Sequence, residues 1–382
     1  MITDDIFYIG VNDKDIDLFE GQYIVPNGMS YNSYVILDEK IAVMDTVDQR
    51  KKDEYLTALE TALNGRRPDY LVVSHVEPDH ASSIKAFLEK YPGVQLVGNA
   101  KTFPMLAQYF DLNFDSALTV KEGDVLSLGK HELHFIMTPM VHWPEVMFTY
   151  DSFDKVLFSA DAFGKFGSLD TEEDWTCEAR RYYFNIVGKF GAPVQTVLKK
   201  AAALDIQIIC PLHGPVLTEN LDYYLSKYQI WSSYEPESEG VFIAYASLHG
   251  NTAGAAHKLK DILADKGCPK ITIADLARVD MAEALEDAFR YGKIVLAASS
   301  YNGGVMPFME DFLHHLKGKN YQKRTVALIE NGSWAPSASR AMTELLSQMK
   351  DISMLDTSVT IRGALKEEDV KALSNLADAL LR

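Results

Sequence analysis

The chain has 382 residues, of which 47% are hydrophobic and 24% are charged, the balance of a globular protein with room for two or three domains. The net charge of −17 argues against nucleic-acid binding, which requires basic patches. No apolar run approaches the roughly 20 residues of a transmembrane helix, and the acidic N-terminus does not resemble a secretory signal. Three cysteines without Cys-x-x-Cys spacing, Cys177, Cys210 and Cys268, indicate a protein of the reducing cytoplasm.

The first 135 residues predict a β-rich domain with helices inserted between the strands. Residues 5–48 read as short strands separated by turns, and Asn27-Gly28 predicts a hairpin between strands at residues 23–25 and 34–37. Further apolar patterns indicate, in chain order, a strand at 41–44, a helix at 51–64, a strand at 70–73, a helix after 81, a strand at 94–97, a helix at 101–110 and strands from 118 to 135. This order favours an αββα sandwich over a simple doubly wound sheet.

The stretch His75-Val76-Glu77-Pro78-Asp79-His80 places four potential metal ligands in six residues, directly after a buried strand. Pro78 restricts Glu77 to extended geometry, which disfavours a helix through the cluster and splays the neighbouring side chains apart. Taken alone, the stretch can also be a polar loop with incidental histidines. The density of ligands at a strand end predicts a compact metal-binding loop.

Three more residues with metal-binding side chains follow apolar strands: His142, Asp161 and His213. A single histidine after a strand is usually a capping or surface residue. Side chains at the same edge of neighbouring strands can converge on one point, however, and four strand-end sites of matching chemistry are hard to assign to chance. These residues therefore extend the predicted metal site.

This order of residues resembles the metallo-β-lactamase superfamily pattern H-x-[HE]-x-D-H, then His, Asp and His, over roughly residues 1–225. The third motif position is Glu77 instead of histidine, and a carboxylate shifts metal preference from zinc toward iron or manganese. The Glu variant resembles the flavodiiron proteins. That resemblance implies no catalytic residue beyond seven ligands of a diiron site: His75, Glu77 and His142 for one iron, Asp79, His80 and His213 for the other, and Asp161 as the bridge.

Other side chains near these ligands have two interpretations. Trp143 and Phe163 either form an apolar wall around the metals or are ordinary core residues. Together with Tyr23 and Tyr31, they are also candidates for setting substrate selectivity. The remaining histidines are interpreted as strand or helix-surface residues: His131, His134, His257, His314 and His315.

The second half of the chain begins after a predicted linker at residues 235–240, which divides the sequence into domains 1–235 and 240–382. Apolar patterns predict strands at 241–246, 271–274, 293–298, 325–330 and 358–362, and helices at 252–266, 280–291, 307–317, 336–350 and 366–381. Five strands alternating with five helices predict a doubly wound parallel sheet.

Three loops at the carboxyl edge of this sheet predict a ligand site. The first, Ser247-Leu248-His249-Gly250-Asn251-Thr252, precedes a helix whose N-terminus can hold a phosphate without a basic residue. It lacks Gly-Lys-[Ser/Thr], which excludes a nucleoside-triphosphate loop. The loop resembles the FMN phosphate loop of flavodoxins, although a plain Gly-Asn turn is the alternative. The other two loops are Ser299-Ser300-Tyr301-Asn302-Gly303-Gly304 and Asn331-Gly332-Ser333-Trp334-Ala335.

The resemblance extends to how these loops would hold FMN. Tyr301 and Trp334 are candidates to stack on the flavin ring. Many flavodiiron proteins carry a Gly-Trp pair in the third loop, where this chain has Trp334-Ala335-Pro336.

Taken together, a lactamase-like domain with the Glu variant and a flavodoxin-like domain resemble a flavodiiron protein over nearly the whole chain. The resemblance implies FMN and two irons, reduction of dioxygen to water or of nitric oxide to nitrous oxide, and an external donor such as rubredoxin or a reduced deazaflavin. It also implies a head-to-tail homodimer or a dimer of dimers. The alternatives are a di-metal hydrolase with an appended flavodoxin domain, and an electron carrier that uses only its FMN domain.

Overall fold

The computed structural model describes every residue from Met1 to Arg382 and divides into two compact units, Met1–Gln229 and Ile230–Arg382. We call them the N-terminal unit and the C-terminal unit. The predicted domain limits of 1–235 and 240–382 differ from this division by a few residues and stay a prediction. None of the helices combines the length and the apolar character that a membrane crossing requires.

The N-terminal unit is built from short strands. They are β1 Ile6–Tyr8, β2 Val11–Asp13, β3 Leu18–Phe19, β4 Tyr23–Ile24, β5 Met29–Tyr31, β6 Tyr34–Leu37, β7 Ile41–Met44, β8 Tyr70–Val72, β9 Gln95–Asn99, β10 Leu118–Val120, β11 Val125–Ser127, β12 Glu132–Met137, β13 Met147–Asp151, β14 Val156–Phe158 and β15 Ile208–Cys210. Its α-helices are α1 Lys52–Leu63, α2 Pro78–Ala81, α3 Ile84–Lys90, α4 Thr102–Leu106, α5 Trp175–Tyr182, α6 Gly191–Ala201 and α7 Leu221–Ser232, the last of which runs across the division. Short 3₁₀ segments at Gln49–Lys51 and Gly188–Phe190 and a π-helical segment at Tyr183–Val187 complete it.

Two sheets face each other in this unit. One has the strand order β1-β6-β7-β8-β9-β10 and the other the order β11-β12-β13-β14-β15. Alternate side chains of both sheets, among them Ile36, Val72, Phe135 and Phe158, form one buried core between them, as the period of two along a strand requires. Helix α1 packs on β6 and α4 on β9. The sandwich prediction is confirmed.

The predicted hairpin at Asn27-Gly28 is wrong. Strand β4 pairs with β3, β5 pairs with β2, and β6 pairs with β1 and β7. Gly28 N–H donates to the Val25 carbonyl at 3.0 Å, so a turn does form there. Gly28 has a φ of +67°, and a Cβ on it would lie 2.2 Å from the Asp13 carbonyl oxygen. Asn27-Gly28 therefore forms a turn between β4 and β5, which pair with β3 and β2 and not with each other.

The C-terminal unit is a parallel sheet with alternating helices. Its strands are β16 Ser238–Ala246, β17 Ile271–Asp275, β18 Tyr291–Tyr301, β19 Gly304–Val305, β20 Gln322–Asn331, β21 Lys350–Met354 and β22 Val359–Ile361. Its helices are α8 Asn251–Asp265, α9 Met281–Arg290, α10 Pro307–Gly318, α11 Ala338–Leu346 and α12 Glu367–Leu381. The order β17-β16-β18-β20-β21 is parallel throughout, which confirms the doubly wound prediction.

The outermost strand of this sheet is split into two segments. Both β21 and β22 pair in parallel with β20, β21 near its start and β22 at its end. The prediction of one strand at 358–362 and of a helix reaching residue 350 missed β21. Lys350–Met354 is only partly buried, so its sequence lacks the continuous apolar run by which a buried strand is recognised.

The predicted linker also differs from the structure, because β16 already begins at Ser238. The register between β16 and β18 shifts between Ser238 and Val241. Gly240 lies in this irregularity with a φ of +136°, where a Cβ would meet the Lys270 carbonyl oxygen at 2.3 Å. The glycine and acidic residues of the predicted linker therefore form the irregular start of a strand.

Candidate metal centre and a second cavity

Strand ends position the predicted ligands of the N-terminal unit. His75 follows β8, His142 follows β12, Asp161 follows β14 and His213 follows β15. The local prediction at Glu77 is half right. Glu77 is extended, with φ −58° and ψ 140°, but Pro78 begins the short helix α2 instead of preventing one. Proline suits the first helical position because its missing N–H has no partner there.

One ligand group consists of four residues whose donor atoms lie within 4.8 Å of one another: His75, Glu77, His142 and Asp161. His142 Nε2 lies 3.1 Å from Glu77 Oε2 and 3.0 Å from Asp161 Oδ2. His75 Nε2 lies 3.1 Å from the same Glu77 oxygen and 3.5 Å from the same Asp161 oxygen. Two imidazole nitrogens and two carboxylates therefore surround one point.

A second ligand group consists of Asp79, His80 and His213. Asp79 Oδ2 lies 3.2 Å from Nε2 of His80 and 3.2 Å from Nε2 of His213. Asp161 reaches this group with its other oxygen, since Oδ1 lies 3.3 Å from His80 Nε2 and 3.9 Å from His213 Nε2. The structure thus brings all seven predicted residues together, with the Asp161 carboxylate between the two groups.

The donor chemistry fits metal ions. His213 Nδ1 lies 2.7 Å from the Ser30 carbonyl oxygen, so Nδ1 carries the proton and the Nε2 lone pair faces Asp79. Both oxygens of Asp79, Oδ1 of Asp161 and Nε2 of His142 are buried without a hydrogen-bond partner. Buried polar atoms without partners are costly, and metal ions between the two groups would satisfy them.

Ion pairs in the two groups shift the pKa values of their members. Burial lowers the pKa of His142, but the carboxylates of Asp161 and Glu77 beside its Nε2 outweigh it and raise this pKa to about 9. Burial also lowers the pKa of His75, but the surrounding carboxylates outweigh it and raise this pKa well above the usual range. Burial raises the pKa of Asp161, but the positive charge of His75 and the neighbouring imidazole of His142 hold this pKa well below the usual range. Without metal, His75 and His142 hold protons that a metal must displace.

Metal binding is therefore expected to release protons and to tighten as the pH rises from about 6.5 toward about 9. The ion pairs of the metal-free protein contribute full stability below the unfolded histidine pKa of about 6.5. That contribution is lost as the pH rises through the folded value of His142, about 9. The thermal midpoint of the metal-free protein should fall over this interval while that of the metal-loaded protein should not. Calorimetry in two buffers of different ionisation enthalpy measures the released protons, and metal binding without proton release would contradict the expectation.

Two buried carboxylates that sequence reasoning missed support the ligand His75. Glu145 Oε1 lies 2.7 Å from His75 Nδ1 and accepts the Val76 N–H at 3.0 Å. Asp45 Oδ1 accepts the N–H groups of Ser74 at 2.7 Å and His75 at 3.3 Å. Asp45 directly follows β7, as the ligands follow their strands, and this position could have been recognised in the sequence. Glu145 offered only a charge within an otherwise apolar stretch.

Replacing Glu145 with glutamine is expected to weaken metal binding about 10–100-fold, because partners that orient a ligating histidine contribute that much. The amide keeps an acceptor for His75 but loses the charge, and its NH₂ group would take the place of Oε2, which is buried without a partner. Glu132→Gln is the matched control, since this glutamate of β12 is 55% exposed. Competition with a chromophoric chelator measures the affinity, and equal affinity in both variants would contradict the supporting role.

Aromatic rings border the ligand imidazoles. The Trp143 ring centroid lies 5.2 Å from that of His75, and the rings of Phe19, Tyr31 and Tyr182 lie 5.4 to 6.0 Å from that of His213. Of the other candidates, Phe163 stacks on Tyr228 at 4.2 Å and Tyr23 donates its hydroxyl to the Asn185 carbonyl. Trp143 and Tyr31 thus contact ligands, whereas Phe163 and Tyr23 take part in packing.

A second cavity, of about 620 Å³, opens at the carboxyl edge of the C-terminal sheet. The three predicted loops supply most of its lining: Leu248, His249, Asn251, Thr252, Ser299, Ser300, Tyr301, Asn302, Gly303, Asn331, Gly332, Ser333, Trp334 and Ala335. Of the residues predicted for this site, Ser247, Gly250 and Gly304 do not line the cavity. Ser337 and Gly363 line it without having been predicted.

Hydroxyls and glycines shape this cavity. Ser247 Oγ accepts the Gly250 N–H at 3.1 Å, and Gly250 turns into α8 with a φ of +88°. Ser299 Oγ lies 2.8 Å from Thr252 Oγ1, which joins the first loop to the second. A Cβ on Gly332 would lie 2.9 Å from the Pro336 Cα, so a side chain there would displace the third loop.

The cavity suits an anionic ligand with a flat apolar part. Helix α8 has no side-chain cap, so its first N–H groups and its dipole are available to a phosphate. No lysine, arginine or acidic side chain lines the cavity. At its rim Tyr301 and Trp334 are 42% and 89% exposed. The lining thus fits the phosphate and the flat ring of FMN.

Comparisons with known proteins agree with both halves of the structure. A family model described as ODP family beta lactamase matches residues 29–214, and a flavodoxin domain model matches residues 242–373. Over 381 residues the chain is 28% identical to a nitric oxide reductase of Moorella thermoacetica, with 97% of this chain and 95% of that protein covered.

Solved structures are similar over the same length. Rubredoxin oxygen:oxidoreductase from Desulfovibrio gigas has a TM-score of 0.92 and 25% identity, covering 100% of this chain and 98% of that chain. The flavodiiron protein from Giardia intestinalis has a TM-score of 0.91 and 24% identity, covering 100% of this chain and 96% of that chain, a likeness of fold. The predicted combination of a metallo-β-lactamase-like and a flavodoxin-like domain is confirmed.

Proposed function

Because the chain belongs to the flavodiiron protein family, we propose that it reduces dioxygen to water and nitric oxide to nitrous oxide with electrons from an external donor. FMN and a non-haem diiron centre are its cofactors. Dioxygen takes four electrons and four protons to give two waters, and two nitric oxide molecules take two of each to give nitrous oxide and one water. When bound, the irons supply electrons to the gas and FMN supplies electrons to the irons.

We assign the two ligand groups to the two irons, with Asp161 shared between them. The supporting geometry is that Asp161 Oδ2 faces His142 while Oδ1 faces His80. Carboxylates supply part of each set, and Glu77 makes the first one harder than a three-imidazole zinc site. Glu145 and the Ser30 carbonyl hold the rings of His75 and His213 in the tautomer that leaves Nε2 free.

The surrounding aromatic side chains pack against the ligand rings and orient them. Phe19, Tyr31 and Tyr182 lie around the His213 ring, and Trp143 covers the edge of His75. Tyr31 also accepts a hydrogen bond from Arg50 Nη2 at 3.0 Å, which fixes its ring beside the ligands.

In the C-terminal unit, we assign the FMN phosphate to the N-terminus of α8 and the ring to the loops that carry Tyr301 and Trp334. Thr252 and Ser299 offer hydroxyls beside the phosphate position. The small residues Gly303 and Gly332 allow the backbone to approach a flat ring.

The observation that carries the proposal is the pair of ligand groups joined by Asp161, with a carboxylate at Glu77. The test is to reduce the purified protein without oxygen, to add each gas separately, and to quantify gas consumption and product. Both gases should be consumed by the wild type, and Glu77→Ala should lose consumption while its flavin is still reduced by the donor. Glu122→Ala is the matched control, because Glu122 is an exposed carboxylate of the same unit.

Two outcomes would replace the proposal. Tightly bound zinc together with ester hydrolysis would favour the di-metal hydrolase, which the reductase names of the relatives do not favour. Unchanged gas consumption in Glu77→Ala would favour an electron carrier that works through its FMN alone.

Donor, assembly and compartment complete the proposal. The name of the Desulfovibrio gigas protein supports a rubredoxin-type donor, which a stopped-flow mixing experiment with reduced rubredoxin tests. We propose a head-to-tail homodimer, and a strictly monomeric solution mass with full activity would contradict it. No disulfide joins the three cysteines, which is in keeping with the predicted reducing cytoplasm.

A further inference from the structure

A third cluster of ligand-type side chains lies in the N-terminal unit, outside the seven residues described above. It consists of Asp5, His131 and Asp154, whose donor atoms lie within 4.8 Å of one another. We propose that these three residues bind a divalent cation of the zinc type. His131 stands at the opposite end of β12 from His142, so this cluster is distinct from the metal centre.

The orientation of His131 is the first support. Its side chain is fully buried, and Nδ1 lies 3.0 Å from Oδ2 of the buried Asp151. Donation from Nδ1 leaves the lone pair on Nε2, and a carboxylate behind the ring is the arrangement by which proteins prepare a metal-binding histidine. Nε2 of His131 is buried without a hydrogen-bond partner, 3.5 Å from Asp5 Oδ2. A buried ring nitrogen without a partner, beside two carboxylates, points to a ligand.

The charge around this ring is the second support. The carboxylates of Asp5, Asp151 and Asp154 surround one imidazole, and Lys130 is the only lysine or arginine paired with any of them, through Asp5. Lys130 is 43% exposed, so its ammonium group can withdraw into water at little cost. A dication would balance the excess negative charge, and an imidazole with carboxylates is a ligand set that Zn²⁺ accepts.

The alternative is a protonated His131 held between Asp151 and Asp5. Burial lowers the pKa of His131, but the hydrogen bond to Asp151 outweighs it and raises this pKa. That arrangement leaves Nε2–H without hydrogen-bond geometry toward Asp5. The two states differ in whether the site holds a metal ion, which can be measured directly.

A cation here would join the two sheets of the N-terminal unit. Asp5 directly precedes β1 of the first sheet, whereas His131 precedes β12 and Asp154 lies between β13 and β14 of the second. Thr3 Oγ1 donates to Asp154 Oδ2 at 2.5 Å, so the N-terminal segment already contacts this turn. Zinc would add a structural clamp at this end of the sandwich.

The test is to incubate the iron-loaded, FMN-loaded protein with zinc chloride, to remove free metal, and to measure zinc and iron per chain. An anomalous difference map at the zinc edge then locates the ion. The wild type should bind an additional zinc near His131 Nε2 without losing iron, and zinc should raise its thermal midpoint. His131→Gln and the double variant Asp5→Asn/Asp154→Asn should lose this zinc and keep the iron and flavin. Asp151→Asn should bind it about 10–100-fold more weakly.

His134→Gln is the matched control, because His134 is a partly exposed histidine of the same strand and should retain the zinc. Three outcomes would overturn the proposal: no additional zinc in the wild type, zinc that enters only by displacing iron, or equal zinc in the wild type and in the double variant. The double variant keeps the buried His131, so its result stands even where His131→Gln folds poorly.

Discussion

Replacing Asp161 with asparagine is expected to lower the consumption of dioxygen and nitric oxide more than about a hundredfold and to leave the protein short of iron. Residues that merely support a ligand already contribute about 10–100-fold to metal binding. Asp161 faces both groups directly, with Oδ2 3.0 Å from His142 Nε2 and Oδ1 3.3 Å from His80 Nε2. The amide of asparagine at position 161 would keep one oxygen for one ligand group, present NH₂ to the other ligand group and remove the negative charge. Iron analysis and a gas-sensitive electrode measure both effects.

Asp170→Asn is the control for this variant, because Asp170 is 55% exposed and pairs with Lys14 on the surface. It should retain iron and activity at the wild-type level. The bridging assignment is wrong if Asp161→Asn binds both irons and turns over gas at a comparable rate. Loss of activity together with unchanged iron would place Asp161 in catalysis without a role in holding the metals.

Replacing Gly250 with valine is expected to weaken FMN binding about tenfold or more and to leave the iron content unchanged. Gly250 has a φ of +88°, and a Cβ there meets nothing within 4 Å. The effect is therefore one of backbone conformation, since the left-handed region costs a residue with a Cβ about 1–2 kcal/mol and each 1.4 kcal/mol is a factor of about ten in affinity. A β-branched residue turns the loop away from the geometry in which the first N–H groups of α8 face the phosphate. Fluorescence titration of flavin-free protein measures the affinity.

Gly254→Ala is the control for the flavin variant. Gly254 lies within α8, its Cβ position is also open, and its φ lies outside the left-handed region. Alanine there should bind FMN as the wild type does and should stabilise the helix by up to about 1 kcal/mol. Equal FMN affinity in Gly250→Val would show that the loop does not depend on this glycine, and loss of iron as well would indicate general unfolding.

The sequence revealed the fold and most of the candidate sites because both depend on local patterns. Apolar runs followed by His75, His142, Asp161 and His213 marked strand ends, and strands of one sheet bring their ends together. The flavin cavity was predicted for the same reason, since each of its three loops leaves a parallel strand at one edge. Local patterns also predicted most helix limits to within a few residues.

What the sequence did not reveal depends on contacts between distant segments. Glu145 contacts His75 only because the segment between β12 and β13 returns to the loop after β8, and no spacing along the chain indicates this. The turn at Asn27-Gly28 was recognised, but the partners of its flanking strands were decided by long-range pairing. At β21, weak burial removed the apolar signal while backbone pairing with β20 still formed a strand.

The split outer strand has a consequence for how this protein behaves at high concentration. An unbroken border of unpaired backbone groups is a template on which another chain can add a strand, and short borders suppress such growth. Here β21 and β22 are five and three residues long, and β17 at the opposite border has five. The C-terminal unit thus offers no long template on either side, which guards its parallel sheet against fibre-like stacking.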